Sequence, residues 1–199
     1  MAQSVERWCD YAKWDFAQCN FMDEFTQKLE KLPGMLILES EKYALGDHLK
    51  ELEKLIRKGV IIVFGCLENP QNIENNEELQ DFLGIYKVAS EKTELTGVKL
   101  FKGLLLGGEV IYETPEDEEE KERQDLQLEI PWYQVGSGTK TYMVGLLDQS
   151  KQEKTVENED LPTIMWRNGI KRGSIFCVVG DYMKDSTALG ILDGMVAEA

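Results

Sequence analysis

Apolar residues along this chain recur with two spacings, and each change of spacing marks an element. Met35-Leu-Ile-Leu38 is a short apolar run that reads as a buried strand. After the loop from Glu39 to Gly46, Asp47 is placed to cap a helix with Leu49, Leu52, Leu55 and Ile56 on one face. Lys54, Arg57 and Lys58 favour its C-terminal end, and Gly59 stops it. Val60 to Phe64 is then apolar without a break, as expected of a strand buried on both faces, and it runs into Gly65-Cys66. Asn75 or Asn76 caps a further helix that reaches Leu83-Gly84. Strand, helix, strand, helix in this order predicts parallel strands joined by right-handed crossovers.

The later chain changes character. Val98–Phe101, Leu104–Tyr112, Leu126–Val135 and Tyr142–Leu147 read as strands with no strong helix between them, an antiparallel extension of the sheet. Pro162–Trp166 and Ser174–Val179 read as a hairpin with Asn168-Gly169 at its tip. A last helix starting at Asp185 or Ser186 turns Leu189, Leu192, Met195 and Val196 to the core. At the other end, residues 5–21 mix aromatic and polar positions and suggest one or two short strands, with Trp8, Tyr11 or Ala12 and Trp14 packed. Met22–Leu32 has helical spacing and ends at Pro33-Gly34.

Composition narrows the function classes. The 199 residues fit one domain, spanning 1–199 and expected to be excised from a larger multidomain protein. With 37 acidic against 22 basic side chains, the net charge of −15 argues against nucleic acid and against docking on anionic membranes. No apolar run is long enough to span a bilayer. Four cysteines do not make a disulfide framework, although a bridge between Cys9 and Cys19 is possible. No C-x-x-C and a single histidine leave little for a metal, so none is expected. The acidic stretch Glu113–Glu129 lacks the spacing of a calcium loop and reads, with Gln149–Asp160, as solvated chain. Gly107-Gly108 and Gly136-Ser-Gly138 do not stand between a strand and a helix, so no phosphate loop and no cofactor is expected.

Cys66 carries the chemical question. Ends of successive parallel strands share one edge of a sheet, the edge where α/β proteins place their ligands. His48 opens the helix after the neighbouring strand, and Asp181 follows the last strand. Cys66 as nucleophile, His48 as base and Asp181 or Glu41 as orienting carboxylate would make a thiol triad. The plainer reading gives Cys66 to a tight turn, His48 to a surface cap and Asp181 to a turn. Trp132 and Tyr133 after Pro131 are either an exposed sugar platform or one packed face of a sheet.

Three stretches carry a family resemblance: Arg57–Glu68 (RKGVIIVFGCLE), Glu78–Ile85 (ELQDFLGI) and Pro162–Met183 (PTIMWRNGIKRGSIFCVVGDYM). Together they resemble class I glutamine-amidotransferase-like domains, including the trehalose-utilisation-like and β-galactosidase trimerisation domains. The ending LGILDGMVAE, Leu189–Glu198, is similar to an uncharacterised bacterial family in which such a domain precedes a polysaccharide-deacetylase-like domain of a cell-surface protein. The resemblance implies a three-layer, flavodoxin-like α/β fold with a mostly parallel central sheet and an antiparallel extension. It also implies an extracytoplasmic setting, neighbouring domains of the same parent chain as partners, and carbohydrate as a ligand. Active members of that superfamily hold their nucleophile in a Gly-x-Cys-x-Gly elbow and carry a later His-x-Glu pair. This chain reads Phe64-Gly-Cys-Leu-Glu68 and Gly180-Asp-Tyr-Met183 at those places. The expectation is therefore a non-catalytic relative; the alternative is a thiol hydrolase or amidotransferase using Cys66.

Overall fold

The computed structural model describes residues 1–19, 33–67, 69–101, 110–113, 129–147, 161–169, 175–179 and 187–198. In chain order these form α1 (Ala2–Ala12), β1 (Met35–Leu38), a 3-10 turn (Glu41–Ala44), α2 (His48–Arg57), β2 (Ile61–Leu67), α3 (Pro70–Glu74), α4 (Glu77–Leu83), β3 (Ile85–Glu94), β4 (Gly97–Leu100), β5 (Val110–Glu113), β6 (Glu129–Val135), β7 (Thr139–Leu146), β8 (Thr163–Asn168), β9 (Ile175–Val179) and α5 (Thr187–Glu198). The helix expected over Met22–Leu32, the two polar loops, Gly107-Gly108, the turn after Gly169 and residues 180–186 lie outside the described residues.

One seven-stranded sheet runs in the order β1-β2-β9-β8-β7-β4-β5. β1, β2 and β9 are parallel, with Leu38 opposite Phe64 and Phe64 opposite Cys177. From β9 outward every pairing is antiparallel, through β8, β7, β4 and β5. The α/β architecture with an antiparallel extension is thus as expected, the parallel strands β1, β2 and β9 forming one end of the sheet, with α2 between β1 and β2. Burial is continuous from Ile62 to Leu67 and across all of β9. A strand buried at every position must be covered on both faces, so the sheet is the middle of three layers.

Local chemistry explains most element ends. Leu49, Leu52 and Ile56 are the buried stripe of α2, and Gly59 follows the helix at φ 90°, a conformation that only glycine enters without strain. Asn76 caps α4 by accepting from the Leu79 amide at 2.9 Å, and Gly84 closes that helix in the left-handed region. A Cβ on Gly84 would come within 2.7 Å of Thr139 Cγ2, so space as well as backbone reserves this site for glycine.

Four expectations are corrected. Residues 2–12 are helical rather than strand, with Ser4, Val5, Trp8 and Cys9 buried at helical spacing. The aromatic residues suggested β-structure, but packing decides: Trp8 Nε1 donates to Asp193 Oδ1 of α5 at 2.7 Å. Tyr11 is 78% exposed and so is not packed, whereas Trp14, though 49% exposed, sets its ring edge-on to that of Trp8 with centroids 4.9 Å apart. β2 does not stop at Phe64 but continues to Leu67 through an irregularity in its pairing with β9. Asn168 is not the hairpin tip; it pairs with Ile175 inside the ladder and is fully buried. Finally, Ile85–Glu94 forms β3, which pairs with β6 as a separate antiparallel ribbon. That strand has little apolar alternation, and its partner lies some forty residues further along the chain.

Candidate functional site

The C-terminal ends of β1 and β2 open onto a polar cluster built from several elements. After β1 the chain turns into the 3-10 segment, where the Ser40 hydroxyl accepts from the Lys42 amide at 3.4 Å and donates to Glu41 Oε2 at 3.2 Å. After β2, Asn69 accepts from the Gln71 amide at 3.1 Å and starts α3. This brings Asn72 round to donate from Nδ2 to Glu41 Oε1 at 2.9 Å. The Glu41 carboxylate is only 1% exposed, so each oxygen is oriented by a neutral donor away from bulk water. A carboxylate buried this way is a fixed acceptor.

Tyr133 of β6 lies within electrostatic range of Glu41. Its ring lies 6.0 Å from that of Trp166 at 42°, and its side chain is fully buried. Its hydroxyl has no hydrogen-bond partner. Burial above all, then the charge of Glu41, pushes the phenol pKa far above its ordinary value, so the group keeps its proton. Tyr133 is therefore core, not an exposed platform, whereas the neighbouring Trp132 is only half-buried. Exposed aromatic surface is instead found at Tyr11, Trp14 and Phe16, which follow or end α1, and at Tyr86.

Cys66 lies within β2, 7% exposed. A nucleophile elbow is a strained strand-to-helix turn. Among the described residues the only non-glycine with positive φ is Lys13, so Cys66 carries no such strain. The adjacent Gly65 has a different explanation: a Cβ there would lie 2.3 Å from Met1 Sδ, so the Met1 thioether fills the space. His48 opens α2 and sets Nδ1 3.5 Å from Glu51 Oε2 on its own helix, with its side chain 37% exposed. Asp181 lies outside the described residues, as does Asp185. Of the sequence candidates, then, Cys66 and Glu41 lie within electrostatic range of a common neighbour, Tyr133, while the recorded ion pair of His48 is local. None of the four cysteines is in a disulfide, and Cys177 is a fully buried thiol whose pKa burial drives up. Among the described residues no cluster of His, Cys, Asp or Glu is placed to hold a metal ion, and no helix is long and apolar enough to cross a membrane.

Sequence reasoning missed three polar residues near this edge and behind it. Asn72 was not singled out, although the Asn69-Pro70 pair is a recognisable helix start. Tyr133 gave no signal for its unpartnered hydroxyl. Asn168 donates to the Asp81 and Phe82 carbonyls at 3.3 and 3.0 Å, while Trp166 Nε1 donates to Leu83 O at 2.8 Å. These two side chains of β8 tie off the C-terminal carbonyls of α4 and fix that helix against the sheet.

The fold is that of flavodoxin-like α/β domains. A putative ThuA-like protein of Bacteroides uniformis superposes with a TM-score of 0.55 at 14% identity, over 98% of this chain and 80% of that one. A cytoplasmic protein of Salmonella typhimurium gives 0.51 at 9% identity, over 99% of this chain and 86% of the other. A β-galactosidase of Bacillus circulans gives 0.44 at 11%, over 84% of this chain and 21% of that enzyme. No family model matches the chain, and no curated protein does. At these identities the first two likenesses define a fold and leave the activity to be argued from the site.

Proposed function

We propose that this chain is a non-catalytic, amidotransferase-like module that assists carbohydrate processing in a bacterial surface protein, by binding sugar or by contact with neighbouring domains. The observation that carries the reading is the setting of Cys66. It sits inside a strand, on unstrained backbone and nearly buried, and the histidine that would serve as its base is engaged by Glu51 at the surface. A hydrolytic thiol needs a base within hydrogen-bond reach and an exposed thiolate. The carbohydrate part rests on the family resemblance and on the ThuA-like description of one structural neighbour.

Brief alkylation with a small maleimide at neutral pH, read by mass spectrometry, tests the first part. Cys66 should react more slowly than the partly exposed Cys19. Fast labelling of Cys66 that is lost in His48→Ala would establish the thiol enzyme instead. The surface setting is read by protease treatment of intact producing cells. The chain should be digested, and full protection places it inside.

A further inference from the structure

Resting on the sugar-binding half of the proposed function, we propose that the outward face of the β3–β6 ribbon is a platform for a neutral polysaccharide. Trp132 and Tyr86 are its two stacking rings, with Gln134 and Lys87 between them. The ladder register builds this face. Tyr133 turns inward from β6, fully buried, with its ring 6.0 Å from that of Trp166. Its neighbours Trp132 and Gln134 therefore project to the opposite side of the strand. On β3 the pairing steps from Ile85 opposite Val135 to Lys87 opposite Gln134, so Tyr86 is an extra residue at this point. Its phenol donates to Gln134 Oε1 at 3.1 Å, which holds the Tyr86 ring on the Gln134 face. Tyr86 is 60% exposed, Lys87 is exposed, and Trp132 is half-buried. Along the ribbon the order is Trp132, then Gln134 with Lys87, then Tyr86, which separates the two aromatic positions by roughly 7 Å or more.

The composition of the face selects the occupant. A sugar ring offers an apolar C–H face and a rim of hydroxyls, and an aromatic side chain beside amide and ammonium groups meets both. The centre of a protein interface is depleted of charged side chains, whereas here Lys87 and Gln134 lie between the rings. A polyanion would meet a chain of net charge −15. An open ribbon with aromatic positions spaced along it suits a polymer lying lengthwise.

Native electrophoresis of the whole chain through gels containing soluble galactomannan, xyloglucan or mixed-linkage β-glucan tests the platform, with polygalacturonate as the charged counterpart. At least one neutral polymer should retard the wild type, and polygalacturonate should not. Tyr86→Ala should weaken that binding about tenfold, the effect of one lost ring contact, and Trp132→Ala by a similar factor. Because Tyr86 is exposed, its replacement should leave the unfolding midpoint unchanged, which keeps the test valid if Trp132→Ala fails to fold. Tyr86→Phe keeps the ring and should bind within about threefold of wild type. Trp14→Ala, on the other aromatic surface, should bind as wild type does. Undiminished retardation of Tyr86→Ala overturns the platform; if Trp14→Ala then abolishes binding, the carbohydrate reading survives at that surface. Stronger retardation by polygalacturonate overturns the neutral assignment. Retardation of wild type by none of the neutral polymers overturns the platform and the sugar-binding half of the proposed function together, while the non-catalytic half is still decided by Cys66 labelling.

Discussion

Replacing Tyr133 by Phe removes one oxygen and its proton and keeps the ring that packs on Trp166. In the unliganded protein that hydroxyl has lost its water without gaining a partner, a situation that costs about 1–3 kcal/mol. Tyr133→Phe should therefore be more stable than wild type by about 1 kcal/mol, allowing for the small void left behind. For a chain of this size that is a rise of about 2–4 °C in unfolding midpoint. Urea unfolding at pH 7, followed by far-UV circular dichroism, reads it directly. The two curves should separate further in alkali. Burial raises the folded pKa of Tyr133 above the 10.0 of the unfolded chain, so above pH 10 the unfolded state sheds a proton that the folded state holds. Folding stability is present in full below pH 10 and falls as pH rises beyond it, by about 1.4 kcal/mol per pH unit for this group. The Phe variant lacks that loss. A Tyr133→Phe protein destabilised by 1 kcal/mol or more at pH 7, or one parallel to wild type from pH 9 to 11, would refute the bare-hydroxyl argument.

Two further outcomes follow from the packing. Asn168→Ala strips two hydrogen bonds from the carbonyls that end α4, in a position with no access to water, and should cost about 2 kcal/mol, or about 4–8 °C; a change below about 0.5 kcal/mol in thermal unfolding would show that the helix end is held by other means. Near the end of α5, Glu198 accepts from Lys140 at 2.7 Å and from Tyr142 at 3.1 Å, and the Lys140 bond is the largest cause holding its carboxyl below the usual 4.5. A depressed folded pKa contributes stability above pH 4.5 that is lost as pH falls through the folded value. Because Lys140 is half exposed, the contribution should be small, about 0.5–1 kcal/mol. Wild type and Glu198→Gln should then differ at pH 7 and converge as pH falls through the lowered folded value, and a gap that persists in stronger acid would assign the effect to packing.

The parts of the fold that were legible in the sequence are those where burial alone decides the residue type. β2 and β9 are covered on both faces, and so they appear as unbroken apolar runs; α2 is covered on one face, and its leucines recur with helical spacing. The edges of those elements were harder. Gly65-Cys66 resembles the end of a strand because glycine usually marks a turn, yet here the glycine makes room for Met1 and the strand runs on. Asn168-Gly169 has the composition of a hairpin tip, but Asn168 serves a helix end some 86 residues earlier in the chain. In each case a residue with strong local preferences is used for a distant contact, and no local pattern records that.

The site shows the same limit more sharply. Glu41 read as a possible orienting carboxylate for Cys66, and in the structure it is buried with Ser40 orienting one oxygen and Asn72, 31 residues on, orienting the other. In β6 its charge adds to the burial that, as the larger cause, raises the Tyr133 pKa. Three elements must be assembled before any of these groups acquires its chemical character. Cys66, by contrast, looked chemical in isolation because a thiol at a strand end is a familiar nucleophile. Assembly reverses that ranking: the thiol sits on relaxed backbone inside a strand, while an ordinary tyrosine is left buried with an unmet hydrogen bond.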